Sequence, residues 1–496
     1  MKPSKYQTAI YKTFKLTKRD INISAVAGSG KTTVLLELLK YVPEGASSLF
    51  LAFNNSIIDE LKDRNTRRDA EIMTIHSCGW RSILCRYGSR AKLNPNKGIA
   101  KTEQVLKKFK DEIGDKQRGW FFFIIPKLLD LLRCNLLDNE KESFEWIAEH
   151  YDFNISEIEI NVAIEVFKLM QKDKSQFDFM DMIYQPVVDS SIRFRKFDFV
   201  LCDESQDFSV CQHEFIKRCL NRKGRLITVG DRRQAIYGFA GADAESYDKL
   251  AEINGKAIKL PLSVSYRCAK SIVREAQKIV PEISYAPYAI EGEVRDGSLL
   301  ELDYGDWILC RNLKPLVQTY LWLMKNKIKS KIRGKEIGEG ILALISKTGG
   351  KTIDGLLRNL DLEKEKLHNK LKQRGVKRPS LHPKMEVLMQ KIEVIQCLCE
   401  EVDTVKDLRN LISNIFSDEV KGILLSTIHK AKGLENDKIF FLSPELIPSK
   451  YATQPWQYEQ EQNLKYVAIT RAKSSLVYVW GNVFTKDIKQ RIKLSR

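Results

Sequence analysis

Short apolar runs alternate with helical patterns along this chain of 496 residues. Residues 21–27 form a β-rich apolar run, and Val34, Leu35, Leu38, Leu39 and Val42 then recur at helical spacing over 33–42. The run 48–53 predicts the next strand and 56–62 the next helix. From about residue 86 to 185 the pattern becomes helical and charged, and strands resume at 197–202 and 225–229. A second series begins near 257 and includes a strand at 307–310. It is interrupted by a helical stretch from 313 to 420 and resumes at 422–426, 438–442 and 475–480. Such alternation predicts parallel-sheet α/β units. The layout is two cores, each with a mainly α-helical insertion. The first core takes 1–85 and 186–256, with its insertion at 86–185. The second takes 257–312 and 421–496, with its insertion at 313–420.

Charge adds a partner to this picture. The chain holds 82 Lys+Arg against 64 Asp+Glu, a net +18. That balance predicts an anionic partner, nucleic acid first, with a membrane surface or an acidic protein as alternatives. Much of the excess lies between Leu313 and His382, where 17 Lys or Arg face 6 Asp or Glu. The run Lys325, Lys327, Lys329, Lys331, Arg333, Lys335 is its densest part. Two readings of it stand: a solvated face, as most charge runs are, or a surface that meets phosphates. No apolar stretch approaches the ~18 residues needed to span a bilayer, and the start has no apolar run of signal-peptide length. A cytoplasmic chain without a membrane partner is expected. Ten Cys are scattered without a CxxC pair, which suits small core residues in a reducing compartment.

The chemistry begins at Ala25-Val26-Ala27-Gly28-Ser29-Gly30-Lys31-Thr32-Thr33, between a predicted strand and a predicted helix. A phosphate loop needs this context: small residues let backbone N–H groups turn onto phosphate oxygens, and the helix N-terminus adds its positive end. Lys31 would reach the β- and γ-phosphates and Thr32 would ligate Mg²⁺. Ala25 stands where the usual pattern has Gly. The apolar run 199–202 ends in Asp203, Glu204, Gln206 and Asp207. Asp203 suits Mg²⁺ through water, and Glu204 suits orienting and deprotonating the attacking water.

Together these spellings resemble superfamily 1 DNA helicases of the UvrD/Rep/PcrA type. The AxxGxGKT loop from Ala25 to Thr32 and the DExQD form at Asp203 to Asp207 carry the likeness first. Tyr6-Gln7 resembles the adenine-reading element, and Leu51 to Asn55 the next one. Thr74-Ile75-His76-Ser77 is similar to TxHS, and Asp178 to Ile183 to the DFxDM segment. Val229 to Asp243, with Gln234, Tyr237 and Phe239, resembles GDxxQxIYxWRGAD. Leu262 to Arg267 is similar to LxxNYR, Thr427 to Glu435 to THxAKGLE, and Glu461 to Ala472 to ExxLxYVxxTRA. The series keeps the family's order from residue 6 to residue 472.

The resemblance implies two RecA-like parallel-sheet domains and an ATP-hydrolysing DNA helicase with ATP and Mg²⁺ as cofactors. It gives Gln7 the adenine edge, Tyr266 the adenine face, and Gln234 the sensing of the γ-phosphate. Arg267 and Arg471 match the two arginine fingers, and Glu435 the sugar or coupling region. Phe53, Asn54, Thr74, His76, Tyr237, Phe239, Thr427 and His429 match positions that bind the strand. Stacking on Tyr237 and Phe239 would be sequence-tolerant, since every base has a π-face. Phe239 replaces the usual Trp, Ala240 the usual Arg, and Ser265 the usual Asn, changes that bear on strand grip rather than hydrolysis. The expected partners are single-stranded DNA, duplex junctions, and a nuclease or a replication or repair factor. The leading reading is a translocase and helicase moving 3′→5′. Its alternatives are a DNA-dependent ATPase subunit that unwinds little and an RNA helicase.

Overall fold

The computed structural model describes residues 3–52, 58–109, 113, 115–151, 153, 155–236, 241–242, 245–373, 376, 378–416, 422–452 and 455–481. The chain divides into two units, Met1–Val264 and Ser265–Arg496.

The first unit is built on six parallel strands: β1 (Ile21–Ala25), β2 (Ser48–Ala52), β3 (Glu71–Thr74), β4 (Phe197–Cys202), β5 (Leu220–Gly230) and β6 (Ile258–Leu262). Their spatial order is β3-β2-β4-β5-β1-β6. Strand β2 is buried along its whole length, which is why Leu49, Phe50 and Leu51 read as an unbroken apolar run rather than an alternation. Helices α1 (Lys5–Leu16) and α2 (Lys31–Lys40) help cover the sheet, burying Ile10 and Phe14 from one and Val34, Leu35, Leu38 and Leu39 from the other. Helix α3 (Ile75–Tyr87) leaves the end of β3. The helical insertion includes α4 (Lys97–Leu106) and α5 (Asp115–Cys134). Two residue pairs at its base, Lys92–Leu93 and Gln176–Phe177, form a short parallel ladder. The chain returns to the sheet through α6 (Asp181–Val188), β4 and α7 (Val210–Cys219).

The second unit has its own parallel sheet: β7 (Glu293–Asp296), β8 (Trp307–Cys310), β9 (Ser330–Ile332), β10 (Ile423–Thr427), β11 (Asn436–Leu442) and β12 (Ala472–Val479). Their order is β7-β12-β11-β8-β10-β9. Helix α8 (Leu313–Lys325) lies on β8, β9 and β10, and α10 (Pro455–Ile469) precedes β12. The helical insertion, with α9 (Pro383–Cys399) as one member, joins the same apolar core through Ile392, Ile395 and Leu398. Among the described residues no helix is long and apolar enough to cross a membrane.

Two expected boundaries move. The first core does not stop at 256: β6 pairs with β1 in the register Ile21↔Ile258 and closes that sheet's edge. The second insertion does not start at 313, because α8 and β9 belong to the second sheet. Within the Lys-rich run, Ser330 and Ile332 are buried while Lys329 is exposed. That period of two belongs to an edge strand whose outward positions are basic, a common protection for an unpaired edge.

Candidate functional site: a phosphate loop tied to an acidic strand end

The loop after β1 reverses tightly onto α2. Gly28 and Gly30 have φ of 70° and 78°, a region a side chain with a Cβ enters only at a cost. Gly30 is also the residue before α2, so the backbone N–H groups of the first turn are left free of side-chain caps. Ser29 is buried, and its Oγ has no hydrogen-bond partner among the described residues. An unsatisfied buried hydroxyl in a glycine-turned loop at a helix N-terminus suits an anion such as a phosphate.

Lys31 and Thr32 then meet the end of β4. Lys31 Nζ donates to Glu204 Oε2 at 2.7 Å, and Thr32 Oγ1 donates to Asp203 Oδ2 at 2.6 Å. Glu204 itself sits at φ 51°, in the left-handed region, directly beyond the end of β4. Gln206 extends the arrangement. Its Nε2 donates to Glu204 Oε2 at 2.7 Å and to Asp207 Oδ2 at 3.2 Å, and its Oε1 accepts from the Asp231 N–H at 2.9 Å. Asp231, at the end of β5, accepts from Gln234 Nε2 at 2.7 Å. Lys31, Glu204, Gln206, Asp231 and Gln234 thus form one hydrogen-bonded relay across three strand ends. Gln206 and Asp231 are the members that sequence reasoning left without a role. Their place in the DExQD and GDxxQ spellings was visible, but their mutual contact was not.

Electrostatics favour a cation here. Burial, together with the neighbouring Glu204 charge, pushes the Asp203 carboxyl up to about 6, and burial does the same to Asp231. Burial also works against the Lys31 charge, yet the carboxylates of Glu204, Asp203 and Asp231 outweigh it and raise its pKa. Three carboxylates face one ammonium, and Thr32 and Asp203 offer hard oxygen donors. That set fits Mg²⁺, which takes one or two protein oxygens alongside substrate phosphates and water.

Other assigned residues of this unit are placed as follows. Gln7 closes a reciprocal cap on α1: its Oε1 accepts from the Ser4 N–H at 2.9 Å. Its Nε2 points toward the loop, 3.9 Å from where a Cβ on Gly30 would stand. Thr33 Oγ1 accepts from Arg64 at 2.8 Å, and Ala27 is buried. Thr74 is buried, and its hydroxyl caps α3 by accepting the Ser77 N–H at 3.1 Å. Burial pushes the imidazole of His76, two residues on, below its ordinary pKa. Phe53, Asn54, Tyr237 and Phe239 lie outside the described residues.

In the second unit, Arg267 pairs with Glu435, and Lys473 Nζ reaches the other oxygen of that carboxylate at 3.2 Å. Arg471 is buried and held by the carbonyls of Val467 at 3.1 Å and Leu434 at 3.0 Å. Arg267, Glu435 and Arg471 therefore converge at one sheet end. The Tyr266 ring lies nearly parallel to that of Tyr288, with centroids 6.5 Å apart. Thr427 ends β10, and beyond it burial, with Arg311 and Lys430 nearby, pushes His429 down to about 3.

The fold and this loop define a P-loop nucleotide-binding protein with two parallel α/β sheets. A family model of the UvrD/REP helicase N-terminal domain matches residues 6–253. The ATP-dependent DNA helicase PcrA of Bacillus subtilis is 28% identical over 286 residues, covering 54% of this chain and 38% of that protein. The F-box DNA helicase protein 1 of Schizosaccharomyces pombe is 23% identical over 518 residues, covering 92% of this chain and 55% of that protein. A probable DNA helicase II homolog of Mycoplasma capricolum is 23% identical over 635 residues, covering 96% and 84%. This chain belongs to the UvrD/REP helicase family, while spanning about half the length or less of the first two of these relatives.

Proposed function

We propose that the chain is an ATP-dependent single-stranded DNA translocase and DNA helicase that moves 3′→5′. The observation that carries this reading is the relay from Lys31 through Glu204, Gln206 and Asp231 to Gln234. It links the phosphate end of the loop to the segment that begins at Gln234, which the family likeness assigns to DNA. In this reading the loop amides and Lys31 hold the β- and γ-phosphates. Glu204 gives up Lys31 to the γ-phosphate and turns to the attacking water as general base. Thr32 and Asp203 would hold Mg²⁺, which neutralises phosphate charge in the transition state. Gln234 reads the γ-phosphate and reports its loss to the strand. Arg267 and Arg471, in the second unit, are assigned as the cations that stabilise charge on the transferred group. Tyr266 and Gln7 take adenine, and Glu435 receives Arg267 between turnovers. Thr74, His76, Thr427 and His429, with Phe53, Asn54, Tyr237 and Phe239, take the strand, and the partner is single-stranded DNA and its junction with duplex.

The test is ATP turnover by the whole chain with and without a single-stranded oligonucleotide. Strong stimulation is expected, and turnover indifferent to DNA would refute the reading. Lys31→Ala and Glu204→Gln should each abolish hydrolysis. Glu204→Gln should keep nucleotide binding while Lys31→Ala weakens it.

A further inference from the structure

Asp178 and Asp181, in the segment ahead of β4, take no part in the relay, yet they sit in a deeply buried charge network. Lys97 Nζ donates to Asp181 Oδ2 at 2.6 Å. Arg133 reaches both oxygens of Asp178, at 2.8 and 2.9 Å, and Asp181 Oδ1 at 2.9 Å. The side chains of Lys97, Arg133 and Asp181 are 1%, 2% and 1% exposed. The two acids also fasten each other's backbone: the Asp181 N–H donates to Asp178 Oδ1 at 2.7 Å and the Asp178 N–H to Asp181 Oδ2 at 3.2 Å. Asp130, half exposed, closes the outer side on Arg133. Charges this deep are tolerated because two cations balance two carboxylates and the oxygens are shared out among donors. With its charges paired, the network has the character of a clamp and not of a ligand site.

What it clamps is specific. It joins α4 and α5 of the insertion to the first turn of α6. Helix α6 is pressed on α3, where a Cβ on Gly79 would overlap the Met182 carbonyl oxygen. Helix α3 starts directly after Thr74 and carries His76. At the other side, α5 supports Gly241: a Cβ there would lie 3.3 Å from both Leu131 Cδ2 and Cys134 Cβ, and φ is 94°. Gly241 belongs to the stretch from Val229 to Asp243 that holds Gln234. The Gly79 approach is backbone against backbone, with no side chain to absorb movement, so a shift in α6 passes straight to α3; Gly241 rests on the Leu131 and Cys134 side chains of α5.

We propose that Arg133, with Lys97, Asp178 and Asp181, acts as a set of positioning residues for single-stranded DNA. The network sets α6 and α5, and through them the placement of α3 at Gly79 and of Gly241, a neighbour in sequence of the residues assigned to the strand. This rests on the function proposed above. Apolar helix packing alone tolerates small slides; a guanidinium fork on a carboxylate fixes both distance and orientation. Among the described residues no hydrogen bond or ion pair joins Lys31 or Asp203 to the network, so hydrolysis without DNA is expected to be independent of it.

The experiment uses the full chain with Arg133→Lys, which keeps the buried charge and removes the fork. ATP turnover is measured against oligonucleotide concentration, alongside binding anisotropy and the fluorescence of a 2-aminopurine-containing oligonucleotide. Basal turnover should stay within about twofold of wild type, while the DNA concentration for half-maximal stimulation rises about tenfold. The stacking signal should weaken in parallel. Gly79→Ala reaches the same support without touching a charge and should give the same split. Unchanged DNA affinity in folded Arg133→Lys would overturn the proposal. So would basal and stimulated turnover falling together, in step with the folded fraction seen in thermal melts. Absence of stimulation in wild type would instead refute the proposed function, and anisotropy would then decide this inference alone.

Discussion

Removing the side chain of Gln206 is the sharpest way to separate nucleotide binding from its use. Both side-chain polar atoms of Gln206 are engaged, with bonds of 2.7 and 3.2 Å to Glu204 and Asp207 and one of 2.9 Å from the Asp231 N–H. In Gln206→Ala the buried Asp231 N–H loses its acceptor, at a cost of about 1–3 kcal/mol. Glu204 loses one of the donors that hold its carboxylate, the other being Lys31, and at about 1.4 kcal/mol per tenfold a misplacement worth ~3 kcal/mol lowers kcat roughly 10²-fold. The loop, Lys31 and Thr32 keep their own partners, so KM for ATP should change by no more than about twofold. Steady-state kinetics with excess single-stranded DNA gives both constants, and nucleotide-analogue binding checks the ground state. A variant whose kcat matches wild type, or whose defect lies wholly in KM, would refute the reasoning.

His429 supplies a pH test. Its ordinary pKa of 6.5 falls to about 3 in the fold through burial and the nearby Arg311 and Lys430 charges. The unfolded chain binds this proton first, so the stability gained from neutral His429 is complete above 6.5 and is lost as pH falls toward 3. Denaturant midpoints at pH 7 and pH 5 should therefore drop less in His429→Gln than in wild type; equal drops would remove His429 as the cause. The basic run offers a salt test. Lys331 Nζ is engaged by the Asn414 carbonyl at 2.5 Å and Lys325 by Glu401 at 2.5 Å, whereas Lys327 and Lys329 are exposed and have no ion-pair partner among the described residues. Lys327→Gln with Lys329→Gln should lower the slope of log affinity against log salt on a tailed duplex by about 2. ATP binding should be spared, and an unchanged slope would return the run to a solvated face.

The phosphate loop was legible because its chemistry is local: glycines at two fixed places, Lys31 and Thr32 at the start of a helix. The acidic strand end was legible for the same reason. The relay was not, since the partners of Gln206 are set by which strand ends lie side by side. Strand β9 was hidden because Lys329, Lys331 and Arg333 drown the alternation of Ser330 and Ile332 in a charge run. Strand β6 was assigned to the wrong core because its sequence carries no sign of which sheet it joins. Thr74 illustrates a double use: its spelling matches a DNA-binding position, and the fold also employs its hydroxyl as the cap that starts α3. The charge network around Arg133 could have been suspected only from Asp178 and Asp181, whose spacing puts both acids at a helix start. Nothing local reveals that Lys97 and Arg133 come to meet them.

The central claim is that nucleotide turnover drives movement on DNA. The most direct measurement is strand displacement by the whole chain on two duplexes that differ only in carrying a 3′ or a 5′ single-stranded tail, with and without ATP and Mg²⁺. The account predicts ATP-dependent displacement of the 3′-tailed substrate and little of the 5′-tailed one, with none in Glu204→Gln. Displacement that is indifferent to ATP, or that persists in Glu204→Gln, would contradict it.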